Sequence, residues 1–256
     1  MKTLKELLKE RCSRQQIDRL ARYHRELVSV WVTIAGSKDL CKLAVRFGTD
    51  KWGSHFYAAR YQQHFKEIRF KKIYLIEIGI GGYGDPRAGG GSLRMWKHFF
   101  PFGQIVGLDI YEKALIQESR IRTFRGSQDD PQFLEDVIRK TGNPDIIIDD
   151  GSHVSSKTIR SFECLFPLLN DGGWYAVEDL QTSYWPDWNA DSKDGPTAME
   201  YFKDLADGLN FQENPARRSS ASYFDQNITQ LHFYHNLVLL RKGKNVEPSI
   251  WGSYIE

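Results

Sequence analysis

The sequence predicts an α/β fold: a doubly wound, mostly parallel sheet of seven strands, Rossmann-like, with helices on both faces. An antiparallel strand pair is expected at its C-terminal end and a helical extension at its N-terminus. Three features predict this. Short apolar runs alternate with amphipathic segments of helical period from about residue 71 to about residue 180. The first of these runs ends in a cluster of glycines. Two later ones end in adjacent acids.

Residues 1–45 read as a helical extension, for oligomerisation or as a lid, with Leu4, Leu7 and Leu8 on one face. The stretch Ile17, Leu20, Ala21, Leu27, Val28 and Trp31 continues that spacing. Residues 46–256 form the main domain. "GTDKWGSH" (48–55) is a polar, glycine-bounded break, and 56–68 is helical again. "KKIYLIEIGIGG" (71–82) is the first strand, and 92–100 suits a helix. "QIVGLDI" (104–110) is the second strand; a charged helical stretch and "IRTFRGS" (121–127) follow. Residues 131–140 form a helix, "PDIIIDDGSH" carries the fourth strand, 156–169 another helix, and "DGGWYAVEDL" (171–180) the fifth strand. After a tryptophan-rich loop and a helix near 197–209, "ITQLHFYHNLVLLRK" (228–242) reads as two strands joined by "YHN". So tight a return cannot join parallel neighbours, so the pair is antiparallel.

Composition removes several function classes. The formal charge of +2 over 256 residues gives no strong field of one sign, so neither nucleic acid nor an anionic membrane is an expected partner. No apolar run reaches the roughly 18–20 residues that span a bilayer, and the N-terminus lacks the apolar stretch of a signal peptide. Cys12, Cys41 and Cys164 are far apart and not in metal-ligand spacing, which fits reduced thiols in a cytoplasmic protein.

In open α/β sheets, ligands sit beyond the carboxyl ends of the strands, where the strand order reverses. The first strand ends "EIGIGGYGDPRAGGGS", whose glycines let backbone approach a ligand closely. Asp109 ends the second strand, where a carboxylate can accept both hydrogens of a ribose diol. Gln128 and Asp129 end the third and could meet a base edge. A glycine turn followed by an acid also fits NAD, and hence an oxidoreductase. Glu77, inside the strand end, would repel a pyrophosphate and welcome a cationic amine, which favours S-adenosylmethionine (SAM). Glu77 could also simply pair with a lysine.

The fourth and fifth strands lie side by side in such a sheet, about 4.8 Å apart. One ends in Asp149-Asp150, the other in Glu178-Asp179. Unpaired, these carboxylates would repel and raise one another's pKa values. A divalent cation relieves that conflict, and all-oxygen ligands suit Mg²⁺ or Mn²⁺. Because neighbouring strand residues face opposite ways, only one of the two aspartates is expected to hold the ion. His153, on the turn that follows, can take a proton from a metal-activated hydroxyl, which would then attack a methyl sulfonium. Other readings stay open here. His153 could cap a helix, bind a carboxylate or ligate the metal, and one or two of the acids could be helix N-caps.

Taken jointly and in order, "GTDKWGSHFYAARY", "EIGIGGYGDPRAGGGSLRMWK", "IIIDDGSH" and "AVEDLQTSYW" resemble the sugar O-methyltransferases of macrolide biosynthesis, the mycinamicin VI and demethylmacrocin type. The likeness runs from about Phe47 to Trp185. It implies a class I enzyme dependent on SAM and magnesium that methylates a sugar hydroxyl of a glycosylated small molecule. It further implies Asp150, Glu178 and Asp179 as metal ligands and His153 as general base. Glu77, Gly79, Gly81, Asp109, Gln128 and Asp129 would line the SAM pocket, with Ser92, Thr49 and Lys51 at the methionine end. Tyr184, Trp185 and Trp188 could wall an acceptor sugar or pin their loop to the core. The leucine-rich N-terminal helices suit subunit contacts, hence a homo-oligomer. Members of that family have a larger N-terminal region than the roughly 45 residues before the likeness here, so acceptor recognition and assembly transfer least. A metal-dependent catechol-type methyltransferase is the nearest rival.

Overall fold

The computed structural model describes residues 38–188 and 195–250. Most of the expected N-terminal helices and the middle of the tryptophan-rich loop lie outside those residues. Helix α1 (Leu40–Phe47) begins the described chain, capped by the Asp39 side chain and closed at Gly48 in the left-handed conformation. Helix α2 (Tyr57–Phe65) follows, then β1 (Tyr74–Ile78), α3 (Gly91–Phe99), β2 (Gln104–Asp109) and β3 (Ile121–Arg125). Next come α4 (Pro131–Thr141), β4 (Ile146–Asp149), α5 (Ser155–Leu165) and β5 (Trp174–Val177). Three further helices, α6 (Ala198–Gly208), α7 (Pro215–Arg218) and α8 (Tyr223–Asn227), precede β6 (Ile228–Tyr234) and β7 (Leu237–Lys242).

The seven strands form one sheet in the order β3-β2-β1-β4-β5-β7-β6. β1 to β5 are parallel, and β7 runs antiparallel to both β5 and β6, so the fold class is the expected one. The order reverses between β1 and β4, which places the ligand crevice above their carboxyl ends.

Side-chain alternation builds two cores from the same strands. On one face Leu75, Ile105, Ile146, Ile148, Trp174 and Leu239 pack under α1, α2 and α3, with Tyr61, Phe65 and Trp96 from those helices. On the other, Ile76, Val106, Ile147, Tyr175 and Val238 pack against Leu134, Phe162 and Phe202 from α4, α5 and α6. The three isoleucines of β4 are therefore buried alternately on both faces. Leu40, Leu43 and Ala44 of α1 are part of the first core.

One element differs from expectation. Between β2 and β3 the chain forms a single 3₁₀ turn, Ala114–Ile116, and a lone bridge from Glu118 to Ile121. Lys113 explains this: its buried ammonium donates to the Asp85 and Ala88 carbonyls and draws the segment back over the glycine loop.

Candidate active site

The glycine loop leaves β1 at a point only glycine can occupy. Gly79 has φ +79, and a Cβ there would lie 1.9 Å from the carbonyl oxygen of Asp150. The ends of β1 and β4 thus touch backbone to backbone. The loop then folds on itself through a hydrogen bond from Gly90 N to Ile80 O, with Gly81 also at positive φ. Asp109 stands at the end of β2, its carboxylate accepting from Ile80 N at 3.2 Å and Tyr111 N at 2.9 Å. Gly79, Gly81 and Asp109 therefore edge one crevice. Ser92 lies buried in the first turn of α3, and Glu77 below it is fully buried.

The acids at the strand ends sort by the same alternation as the cores. Glu77, Asp150 and Glu178 fall on the face covered by α1–α3, and Asp149 falls on the other. There Asp149 is held by Gln128 Nε2 at 3.1 Å and by the hydroxyls of Ser161 and Tyr175. Burial pushes its carboxyl up to about 6, against the pull of the Ser161 hydrogen bond. Of the aspartate pair, Asp150 alone turns toward Glu178.

Lys51 sits at the centre of the first group. Its ammonium is 2.8 Å from Asp150 Oδ2, 2.8 Å from Glu178 Oε1 and Oε2, and 3.1 Å from Glu77 Oε1. Tyr61 adds a 2.6 Å hydrogen bond to Glu178 Oε1. Burial drives Glu77 up to about 7 even with the Lys51 charge beside it; its oxygens lack a well-aligned hydrogen bond, so the pair at 3.1 Å is chiefly electrostatic. Burial likewise raises Glu178 and Asp150, opposed in both by Lys51.

Beside this group, Asp150, His153 and Asp179 each offer an atom within 4.8 Å of the others, the geometry of a small cation site. His153 Nε2 is 3.6 Å from Asp179 Oδ2, and His55 Nδ1 is 3.6 Å from Oδ1. Tyr57 OH donates to Oδ1 at 2.6 Å. Burial acts to raise Asp179, but hydrogen bonds from Tyr57 and Gln181, with the neighbouring imidazoles of His153 and His55, outweigh it. Its carboxyl stays below the ordinary value. His153 (φ 57) and Asp179 (φ 54) both hold the left-handed conformation, which side-chain-bearing residues rarely adopt. Thr182 secures the pair, its hydroxyl donating to the carbonyls of His153 at 3.0 Å and Asp179 at 2.9 Å. Backbone strain kept at two facing acid–base residues marks a site where placement matters more than stability. One lysine faces carboxylates whose oxygens outnumber its donors, and an ion held by oxygen ligands fits that excess.

The remaining expected residues are placed as follows. The Gln128 amide is engaged at both ends, giving to Asp149 and accepting from Ser152 N at 2.6 Å, so it braces the turn to His153. Asp129 pairs with Ser127 and with Lys157 at 3.5 Å. Thr49 lies in the turn after α1, its hydroxyl 3.4 Å from Asp50. Lys51, which the resemblance places at the methionine end, is turned onto Glu77, Asp150 and Glu178. Tyr184, Trp185 and Trp188 are exposed, and the Trp188 ring lies 5.9 Å from that of His153. Sequence reasoning missed His55, Tyr57 and Tyr61. Their signal was the run "SHFYAARY", whose polar aromatic groups recur at helical spacing just after Lys51.

Fold and strand order are those of the class I, Rossmann-like methyltransferase fold, with an acidic rim beside the glycine-edged crevice. The chain is similar to the sugar O-methyltransferases of macrolide and tetracenomycin biosynthesis, at 40–47% identity over most of its length. It is 45% identical over 217 residues, 83% of this chain, to the mycinamicin VI 2''-O-methyltransferase of Micromonospora griseorubida. It is 47% identical over 208 residues, 80% of this chain, to the 8-demethyl-8-alpha-L-rhamnosyl tetracenomycin-C 2'-O-methyltransferase of Streptomyces olivaceus. These matches span 54% and 55% of the two relatives, so the chain corresponds to about half their length. The solved methyltransferase of the mycinamycin pathway, in complex with Mg, SAH and mycinamycin VI, superposes with a TM-score of 0.78 at 45% identity, over 83% of this chain and 56% of that one. No protein-family model matches the chain.

Proposed function

We propose that this protein transfers a methyl group from SAM to a hydroxyl of a sugar carried by a natural product, with a divalent metal ion at the acidic rim. One observation carries the reading: Asp150, His153 and Asp179 converge beside the Gly79 crevice, whose floor carries the buried Glu77. The relatives' acceptors, rhamnosyl tetracenomycin and mycinamicin VI, support a glycosylated acceptor.

The chain's residues divide the work. Gly79 and Gly81 admit the cofactor to the backbone, and Asp109 faces the ribose diol. Glu77 offers negative charge to the methionine ammonium. Asp150, Glu178 and Asp179 would hold Mg²⁺ or Mn²⁺. When bound, the ion supplies a Lewis acid that lowers the pKa of a sugar hydroxyl and orients the neighbouring oxygen. His153 accepts that hydroxyl's proton on Nε2, with Asp179 steadying the imidazolium. The acceptor oxygen then forms a bond to the sulfonium methyl carbon as the carbon–sulfur bond breaks, leaving S-adenosylhomocysteine. Trp188, beside His153, presents an apolar face to the sugar ring.

No helix among the described residues is long and apolar enough to cross a membrane. We place the enzyme in the cytoplasm, where SAM is made, and as a homo-oligomer joined through its leucine-rich N-terminal segment; sedimentation velocity checks the assembly. The test of activity is methyl transfer from labelled SAM to glycosylated macrolides and rhamnosylated aromatics, with catechols in parallel. Label in the glycosides, lost in EDTA and restored by Mg²⁺, is expected. Label in catechols alone would support the rival reading, and undiminished transfer in EDTA would remove the metal from it.

A further inference from the structure

We infer that Lys51 is a tethered cation that competes with the divalent ion for Asp150 and Glu178 and so sets the metal affinity of the site. The inference rests on the metal reading above. Its basis is the geometry of the ammonium, which lies equally close, 2.8 Å, to both oxygens of Glu178 and to Asp150 Oδ2. That symmetric grip on one carboxylate, with a second carboxylate alongside, is how a small ion would be held. The Lys51 side chain is fully buried, so these oxygens and Glu77 replace its water shell.

Backbone structure makes the placement firm. Lys51 lies in the turn between α1 and α2, flanked by Gly48 (φ 65) and Gly53 (φ 106), and its carbonyl accepts from Ala58 N at 2.9 Å at the start of α2. The side chain thus enters from the helical layer over the first core face, the face that Asp150 and Glu178 share. Asp150 belongs to both groups: Oδ2 meets Lys51, and the same residue completes the cluster with His153 and Asp179.

Two consequences follow. Without an ion, Lys51 holds the acids together and keeps the site formed. With an ion, its charge opposes the incoming cation at a few ångströms in a partly desolvated setting, where Coulomb effects are severalfold stronger than in water. Removing that charge while keeping its volume therefore tightens metal binding.

The test measures Mn²⁺ binding to the whole chain by electron paramagnetic resonance, without SAM or acceptor, for wild type, Lys51→Met and Lys51→Arg. Lys51→Met should bind Mn²⁺ at least tenfold more tightly than wild type, and Lys51→Arg, which keeps the charge, within about threefold of it. Equal or weaker binding by folded Lys51→Met would overturn the competition while leaving the metal site standing. Binding by neither protein would overturn the metal reading itself. Should Lys51→Met fail to fold, the ζ-ammonium resonance of ¹⁵N-labelled wild type, assigned by its loss in Lys51→Arg, is followed during Mg²⁺ titration. A saturable shift supports competition; an unmoved resonance at saturating Mg²⁺ contradicts it.

Discussion

Substituting Gly79 by alanine strikes the point where the cofactor crevice and the acidic rim share backbone. Its added Cβ would lie 1.9 Å from the Asp150 carbonyl oxygen and 2.6 Å from the carbonyl carbon. Real Cβ contacts begin near 3.0 Å, so the ends of β1 and β4 must part by about 1 Å. Holding an alanine at φ +79 costs about 1–2 kcal/mol by itself. Forcing packed backbone apart adds about 1–3 kcal/mol, for a total of about 2–5 kcal/mol. Gly172 is the internal control, because it has φ +80, close to that of Gly79, but nothing within 4 Å of its would-be Cβ. Urea unfolding of wild type and both variants, with Mn²⁺ affinity measured alongside, separates the contributions. Gly79→Ala should lose more stability than Gly172→Ala and should alone weaken metal binding, since its strain falls on Asp150. Equal losses in the two variants, with metal affinity unchanged in both, would refute the shared-backbone reasoning.

His153→Ala should cut turnover by about 10²–10⁴-fold while Mn²⁺ affinity stays within about twofold; a larger loss of affinity would recast this residue as a ligand. Trp188→Ala should raise KM for the acceptor several-fold with little change in kcat, read in the labelled-SAM assay. Asp149, with its carboxyl raised to about 6 by burial, keeps its proton longer folded than unfolded. Its contribution is therefore full below about pH 4 and lost as pH rises through 6, so Asp149→Asn should gain on wild type by up to about 3 kcal/mol across that interval, measured by urea unfolding in EDTA. His64 behaves oppositely: burial and the neighbouring His232 lower it to about 4, so the unfolded chain binds the proton first. Stability should fall as pH drops from 6.5 toward 4, and His64→Gln should flatten that slope, modestly because the ring is half-exposed.

The strand and helix pattern was legible because it depends on local period. "DIIIDDGSH" reads as a doubly buried strand, and its three isoleucines do pack on alternate faces. The same alternation separates Asp149 from Asp150 and, carried across the β1–β4 and β4–β5 registers, aligns Glu77, Asp150 and Glu178 on one face. What the sequence did not display was the partner of those acids. Lys51 stands 99 residues from Asp150 and 127 from Glu178, and no local pattern links them. Lys113 hid in the same way: a buried ammonium that captures two carbonyls of the glycine loop and removes the helix expected between β2 and β3. Gln128, legible as a residue at a strand end, turned inward because Asp149 and Ser152 N offer its amide a complete set of partners.

Anomalous diffraction from crystals soaked in MnCl₂ and S-adenosylhomocysteine locates the ion most directly. A peak bounded by Asp150 and Asp179, at the carboxyl ends of β4 and β5 and facing the cofactor sulfur, is the predicted result. Density for the nucleoside with no manganese peak between those aspartates would contradict it.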